Sequence, residues 1–563
     1  MATTKELTAK SVTEEVQPVV SDGDQKDESN DGRRPPPLAA KLLAVVLISC
    51  ISFGSHWSSG VTGAMKSTIK KVQEHRDCLS EMTWKKGDMH INNVQFSLLE
   101  ASEDFMATIL LLPSGIITDR LGGAGESEYK SETFCFIRSQ ENLLVSHLTS
   151  IHTRTEMIVY GNIVYTLGSI LVAAATTVRS FNFMIGGRVI LAFGDIATQV
   201  AQYKMFSSWF APSNGFASTL GFELAIGKIG GFVGKSTANI IAKNTGNFAW
   251  VFWTAVFMNL FTNAASAVFW FFNKYCNKHY KGRRDNATDE VLTEKNKKFE
   301  FEKIFQLPWM FWAVLGFSLF QTSAALTFSQ NATELAEQRF AVDSIKAGWY
   351  SSLSQYAGFF LVPCLGVFID ILGQRASVLF TCGLGMLISM VLLNFATSTA
   401  GTGASFGIYA IALSLGPTSV IDSIRTTLWH QSVFGSAYSL KVTMNNAMGI
   451  IVRIITGALQ DADDNSYRRV VQVYLFLVAA SLVVGSAILI GSFTSDYLAP
   501  LQWTRKKRLS SGAEIIAANK ERSLVTHAQR TRYISVGCFS ALLVLTVGGW
   551  VAYIWGAVTG HNS

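Results

Sequence analysis

From Leu38 onward the chain alternates long apolar stretches with short polar breaks. About 20 helical residues cover the hydrocarbon of a bilayer, so this pattern predicts repeated crossings. The predicted spans are 39–63, 94–118, 157–178, 181–206, 215–242 and 249–273. Beyond a charged break they continue at 307–329, 345–370, 376–397, 402–429, 434–459 and 470–494. A further apolar run, Tyr533 to Val558, follows a basic stretch and is long enough for a thirteenth crossing.

The predicted fold class is an all-α polytopic membrane protein of two six-helix bundles, 38–274 and 307–497, with an extra C-terminal helix at 533–558. A cytosolic linker at 275–306 joins the bundles. A disordered tail covers 1–37 and ends in Pro35-Pro36-Pro37, and a basic cytosolic segment covers 498–532.

Composition agrees with this plan and closes off others. Of 563 residues 49% are hydrophobic and only 15% charged, against about 25% charged in soluble domains. The net charge of +7 does not predict nucleic-acid binding, because the cations sit between apolar spans. Lys274, Lys278, Lys281, Arg283 and Arg284 in the linker, and Arg505 to Arg508 after the twelfth span, place those segments and the amino terminus in the cytosol. Lys66, Lys70, Lys71, Lys85 and Lys86 in the first outer loop, with Arg468 and Arg469, run against the rule.

The seven cysteines are scattered and predict neither disulfides nor a zinc site. No metal or cofactor is predicted, and no nucleophile–base or nucleotide pattern predicts an enzyme. Gly234-Lys235-Ser236 lacks the first glycine of a phosphate loop, since position 229 is Ile. Gly227, Gly230, Gly231 and Gly234 read instead as a close-packing helix face. Asn331-Ala-Thr333 falls in a predicted outer loop, open to glycosylation. Asn286-Ala-Thr288 falls in the cytosolic linker, which is not.

The most specific signal is a repeat. Gly115-Ile-Ile-Thr-Asp119-Arg120-Leu-Gly122 follows the second span, and Gly366-Val-Phe-Ile-Asp370-Ile-Leu-Gly373-Gln-Arg375 follows the eighth. Both read G-x-x-x-D-x-x-G at the cytosolic end of the second helix of a half. The first Gly lets helices approach closely. The Asp can face a neighbouring helix's amino end or an Arg, and the last Gly makes a tight turn. The first copy alone is followed by a long polar stretch, Gly125 to Glu156. It reads either as an unspliced intron or as a lineage-specific cytosolic insertion.

This repeated motif resembles the loop motif of the major facilitator superfamily. The resemblance implies two bundles related by a pseudo-twofold axis, with a substrate site between them near the midplane. Gly187-Arg188 to Gly194, Val200-Ala-Gln202, Ser207-Ser-Trp209, Ala225-Ile-Gly227-Lys228-Ile-Gly230, Gly435-Ser-Ala-Tyr438, Asn445-Asn446 and Thr456-Gly457 to Asp461 resemble its lysosomal dipeptide transporter branch and the fungal relatives. That resemblance implies a uniporter exporting dipeptides, cationic ones preferred. It also implies a homodimer with a glycosylated lysosomal membrane partner, in a lysosomal or vacuolar membrane. The family's acidic dileucine signal is absent, so the plasma membrane is the alternative.

In that branch an acidic residue on the fourth helix and an Arg on the fifth hold the dipeptide. Lys228 falls on the Arg position. Ile196 falls on the acidic one, with Asp195 one residue earlier and so turned by about 100°.

Ionisable side chains inside spans are costly and are functional candidates by default. Asp195, Gln199 and Gln202 share a helix face, which serves either a cavity or a helix–helix contact. Lys228 meets either a substrate carboxylate or Asp195. His56, beside Trp57, reads as a pH sensor or ligand contact, or as a satisfied interior group. Asn445 shares a face with Lys441, and Asp422, Arg425 and Trp429 share another, where Asp422 and Arg425 read as a structural pair. The predicted substrate-binding set is Lys228, Asp195, Gln199, Gln202, His56 and Asn445.

Glu100, Glu103 and Asp104 either titrate jointly or lie hydrated near the outer surface. Two other functional readings stay open. One is a proton-coupled symporter of monocarboxylates or other small organic solutes, with Asp104, Asp195 or Glu223 carrying the proton. The other is a non-transporting nutrient receptor or scaffold.

Overall fold

The computed structural model describes residues 34–70, 91–120, 154–280, 292, 301–396, 398–430, 433–522 and 525–561. Among these residues there is no strand. The long helices are α1 (Leu38–Ala64, broken near Ile51), α2 (Asn93–Arg120), α3 (Arg154–Val178), α4 (Phe181–Trp209), α5 (Phe216–Thr245) and α6 (Ala249–His279). They continue with α7 (Trp309–Phe340), α8 (Ser344–Leu372, broken at Ser352), α9 (Arg375–Phe395), α10 (Thr399–Thr427), α11 (Phe434–Ala462) and α12 (Arg468–Thr494). The last is α13 (Val525–His561). Twelve of these are long and apolar enough to cross a membrane. The exception is α2, whose middle carries Glu100, Glu103 and Asp104.

The packing pattern is duplicated. In the first half α3 packs on α4 and α6, and α2 on α4. In the second, α9 packs on α10 and α12, and α8 on α10. The halves meet mainly along two seams, α2 against α11 and α5 against α8. Residues such as Phe476 and Phe493 present apolar surface outward, which is stable only against lipid.

The glycine face of α5 packs on α1 as the sequence predicts. A β-carbon on Gly230 would stand 2.9 Å from Phe53 O, and one on Gly234 would stand 2.8 Å from Trp57 O. Three expectations need correcting or trimming. The polar insertion predicted at 125–156 lies outside the described residues except for Arg154–Glu156, which open α3. The seventh helix does not stop at 329 but runs to Phe340. Asn331 is therefore inside a helix and buried, donating to Tyr474 Oη (2.8 Å) and accepting from Lys66 Nζ (2.7 Å), not displayed in a loop.

The thirteenth apolar run is a helix of 37 residues, about 55 Å long at 1.5 Å per residue. Fifteen residues into the helix, Phe539 packs on Phe305 at the linker end and on Trp312. The helix finishes on the opposite face, where Gly560 O accepts from Asn92. Along the way it lies over the α2–α11 seam. Trp550 Nε1 donates to Thr108 Oγ1 (2.8 Å), Tyr553 and Ser102 hydroxyls sit 2.9 Å apart, and Gly549 lets the helix close onto Ala447.

Candidate functional site

Each repeated aspartate caps a helix of the opposite half. The first turn of a helix leaves four backbone N–H groups without intrahelical acceptors, at the positive end of the helix dipole. Asp119, at the end of α2, accepts from Gly435 N (2.9 Å), Ser436 N (2.6 Å) and Ser436 Oγ (2.7 Å) at the start of α11. Asp370, at the end of α8, accepts from Ala217 N (3.3 Å), Ser218 N (2.7 Å) and Ser218 Oγ (2.5 Å) at the start of α5.

The leading glycines make this approach possible. A β-carbon on Gly115 would stand 2.8 Å from Ser439 Cβ, and one on Gly366 would stand 2.9 Å from Ser218 Cα. Gly373 takes φ +72° against Trp503, a backbone that glycine adopts without strain. Gly122 and the side chain of Arg120 lie outside the described residues.

Further charges tighten the same end. Lys204 Nζ lies 2.9 Å from Asp119. Arg375 pairs with Asp422 and donates to Ser213 Oγ (3.0 Å). The expected Asp422–Arg425 pair is therefore not formed. Arg425 instead crosses between halves to Ser207 O (2.8 Å) and Phe210 O, its guanidinium 4.1 Å from the Phe216 ring centre. The side chains at i and i+3 share a face of α10, but the helices packed around that face supply better partners.

The opposite end is closed by a second network. Glu334 on α7 receives Lys66 Nζ (3.0 Å) and Lys70 Nζ (2.7 Å) from the short helix Lys66–Lys70 after α1. It also receives Tyr467 Oη (2.6 Å). Ser67 donates to Glu337, and Lys235 on α5 donates to Ser329 O. These partners explain why Lys66 and Lys70 break the charge rule: they face carboxylates of the other half.

The acidic triad of α2 is not a hydrated surface cluster. Arg188 on α4 pairs with Glu100 (3.2 Å) and Glu103 (3.1 Å), Gln330 donates to Glu100 (2.5 Å), and Arg453 on α11 pairs with Asp104. Sequence reading named Arg188 only within the family motif and passed over Arg453. Their presence inside apolar spans was the available signal, since buried carboxylates demand cations.

Between the two networks the predicted substrate set divides. Gln202 is buried and donates to Ile48 O (2.9 Å), and Asn445 is buried against Ser318 Oγ (3.0 Å), so both serve helix contacts. Asp104 is taken by Arg453. Glu223 is buried and accepts from Ser52 Oγ (2.7 Å) and Tyr203 Oη (3.4 Å). In contrast, Asp195, Gln199, Lys228 and His56 are only partly buried, and none of their side chains has a hydrogen bond or ion pair among the described residues. Lys441 on α11 shares these properties.

Lys228 and Asp195 do not pair with each other. The stem of Lys228 lies against Gly358 of α8, where a β-carbon would stand 3.2 Å away, and its ammonium is within electrostatic reach of His56. Ile196, at the family's acidic position, is buried in the apolar core, so Asp195 supplies the accessible carboxylate of α4.

This arrangement defines a membrane transporter fold. The family model of the Major Facilitator Superfamily matches residues 142–452, and the chain belongs to that superfamily. It is 21% identical over 467 residues to the human lysosomal dipeptide transporter MFSD1, covering 81% of this chain and 87% of that protein. Two solved structures share the fold. A variant of the Escherichia coli fucose:proton symporter FucP has a TM-score of 0.51 at 14% identity, covering 80% of this chain and 99% of that one. A bacterial homologue of the iron transporter ferroportin, in an outward-facing state, has a TM-score of 0.53 at 12% identity, covering 80% and 98%. The family and fold point to transport across a membrane and not to catalysis.

Proposed function

We propose that this protein carries dipeptides out of a lysosome or vacuole as a uniporter, its two halves rocking about the site between the end networks. The observation that carries the reading is a partly exposed carboxylate, Asp195, and a partly exposed ammonium, Lys228, that leave each other unpaired. Buried charges without partners are costly. A zwitterion supplies both missing partners at once, its amine to Asp195 and its carboxylate to Lys228, with Gln199 and His56 alongside. With both networks formed the cargo is shut off from either side. Breaking one network at a time exposes the site to one side, which is alternating access. The similarity to a lysosomal dipeptide transporter supports both the cargo and the compartment.

The test is uptake of a dipeptide and amino-acid panel into proteoliposomes, with localisation of a tagged copy in cells. Lys228→Ala and Asp195→Ala are each expected to abolish dipeptide flux while the protein reaches its membrane. Normal flux in both variants refutes the site.

One observation favours a second reading, the proton-coupled symporter. Glu223 is buried with hydroxyl donors only and no cation among the described residues, so nothing there compensates a fixed negative charge. Flux that follows an imposed pH gradient, and loses that dependence in Glu223→Gln, selects it over the uniporter.

A further inference from the structure

The two capping aspartates set the register between the halves. Matching Ala217 with Gly435 and Ser218 with Ser436, the residues that Asp370 and Asp119 hold, puts Glu223 level with Lys441 and Lys228 level with Asn446. At one depth, then, the first half offers a carboxylate and the second an ammonium. Two rings stand between them: Tyr203 and Tyr438, from opposite halves, have centroids 4.6 Å apart, and Lys441 Nζ lies 5.7 Å from the Tyr438 ring centre. The opposite charges do not neutralise each other. Glu223 is satisfied by the Ser52 and Tyr203 hydroxyls, whereas Lys441 has no hydrogen bond or ion pair among the described residues.

We propose that Lys441, flanked by the Tyr203–Tyr438 pair, is a second ligand subsite that takes a side-chain carboxylate of the cargo, making dipeptides with one acidic side chain the preferred class. This deepens, and rests on, the central site proposed above.

The charges of the free groups carry the inference. Within the candidate site two ammoniums, Lys228 and Lys441, and one carboxylate, Asp195, are left without a partner among the described residues. A dipeptide with a neutral side chain satisfies Asp195 and Lys228 and leaves Lys441 unmatched. One with an acidic side chain satisfies all three, and one with a basic side chain adds a third cation. The ammonium over a tyrosine ring is held but not neutralised, because the ring quadrupole supplies much less than a charged partner. Tyr203, whose ring meets Tyr438, is carried by the same helix as Asp195, eight residues or about 12 Å along it, which ties the subsite to the primary one.

The test uses the full-length protein in proteoliposomes, with Ala-Glu, Ala-Ala and Ala-Lys competing for entry. The wild type is expected to favour Ala-Glu over Ala-Ala by about tenfold or more, the range of a hydrogen bond to a charged group, and to disfavour Ala-Lys. Lys441→Gln collapses the Ala-Glu to Ala-Ala ratio towards one, and Lys441→Arg restores the preference. A ratio unchanged in Lys441→Gln, or a wild type that prefers Ala-Lys, overturns the subsite while leaving the central dipeptide site standing. A wild type that moves no dipeptide overturns both. Thermal stabilisation by Ala-Glu, present in the wild type and absent in a folded Lys441→Gln, reads the same contact without flux.

Discussion

Glu334→Gln separates the two ends of the molecule most sharply. Glu334 belongs to the second half, and both ammoniums it receives, Lys66 at 3.0 Å and Lys70 at 2.7 Å, belong to the first. Lys66 is 1% exposed. Removing one partner of a buried pair costs about 3–5 kcal/mol, because the other charge stays desolvated. Lys66 keeps its bonds to Asn331 (2.7 Å), Gln460 (2.9 Å) and Tyr467 (3.1 Å), so the lower end, about 3 kcal/mol, applies. The whole loss falls on states in which the outer ends touch, since in an outer-open state the same groups are hydrated. At about 1.4 kcal/mol per decade, the outer-closed population drops roughly a hundredfold relative to the outer-open one. Spin labels at Lys243→Cys and Arg468→Cys, both exposed and on opposite halves at that end, read the change by electron–electron resonance. A longer distance distribution in Glu334→Gln is expected. An unchanged distribution in a variant whose melting shows it to be folded refutes the assignment of this network as the outer closure.

Three further outcomes follow from the geometry. Gly115→Leu places a branched side chain where Ser439 Cβ would be 2.8 Å away, so the helix ends joined by Asp119 are held apart, flux falls at least tenfold, and cysteines at the Asp119 end of α2 and the Gly435 end of α11 become more reactive to a membrane-impermeant maleimide. Gly358→Val crowds the Lys228 stem without removing its charge and is expected to raise the half-saturation concentration for a dipeptide about tenfold with a smaller change in maximal rate, which uptake kinetics measure. Because Asn331 is buried and hydrogen-bonded, its sequon stays unmodified in the folded protein, and Asn331→Gln leaves electrophoretic mobility unchanged before and after endoglycosidase.

The parts of this architecture visible in the sequence are those written in local or repeated patterns. Apolar length located the crossings, and α13 was readable for the same reason. The partners of Asp119 and Asp370 were readable only as one of two types, a helix amino end or an arginine, and the structure shows the first. Contacts between distant residues were not readable. Asp422 and Arg425 looked like a pair because they share one face of one helix, yet Arg375 from α9 takes the aspartate. Lys66 and Lys70 looked like exceptions to a charge rule because Glu334 is far away in sequence. The end of α7 was missed for a related reason: beyond 329 most of its residues are polar, and Asn331 and Glu334 are held by Lys66, Lys70 and Tyr467 while Ala332, Leu335 and Ala336 join the apolar core. Within the candidate site, helix periodicity put Asp195, Gln199 and Gln202 on one face, but only packing decides that Gln202 ends on a backbone carbonyl while its neighbours stay free.

The last helix breaks the twofold symmetry of everything else. By resting on α2 and α11 together, it binds the molecule along one side as a spine binds a book, and it leaves the α5–α8 line as the fore-edge. Among the described residues its hydrogen bonds to the two helices are to α2, at Thr108 and Ser102, whereas it meets α11 through apolar packing, with Gly549 and Gly556 close against Ala447 and Ile454. A helix fastened to one cover and smooth against the other lets the pages slide but not part there. On the rocking mechanism proposed above, the halves are expected to swing widest on the side away from α13.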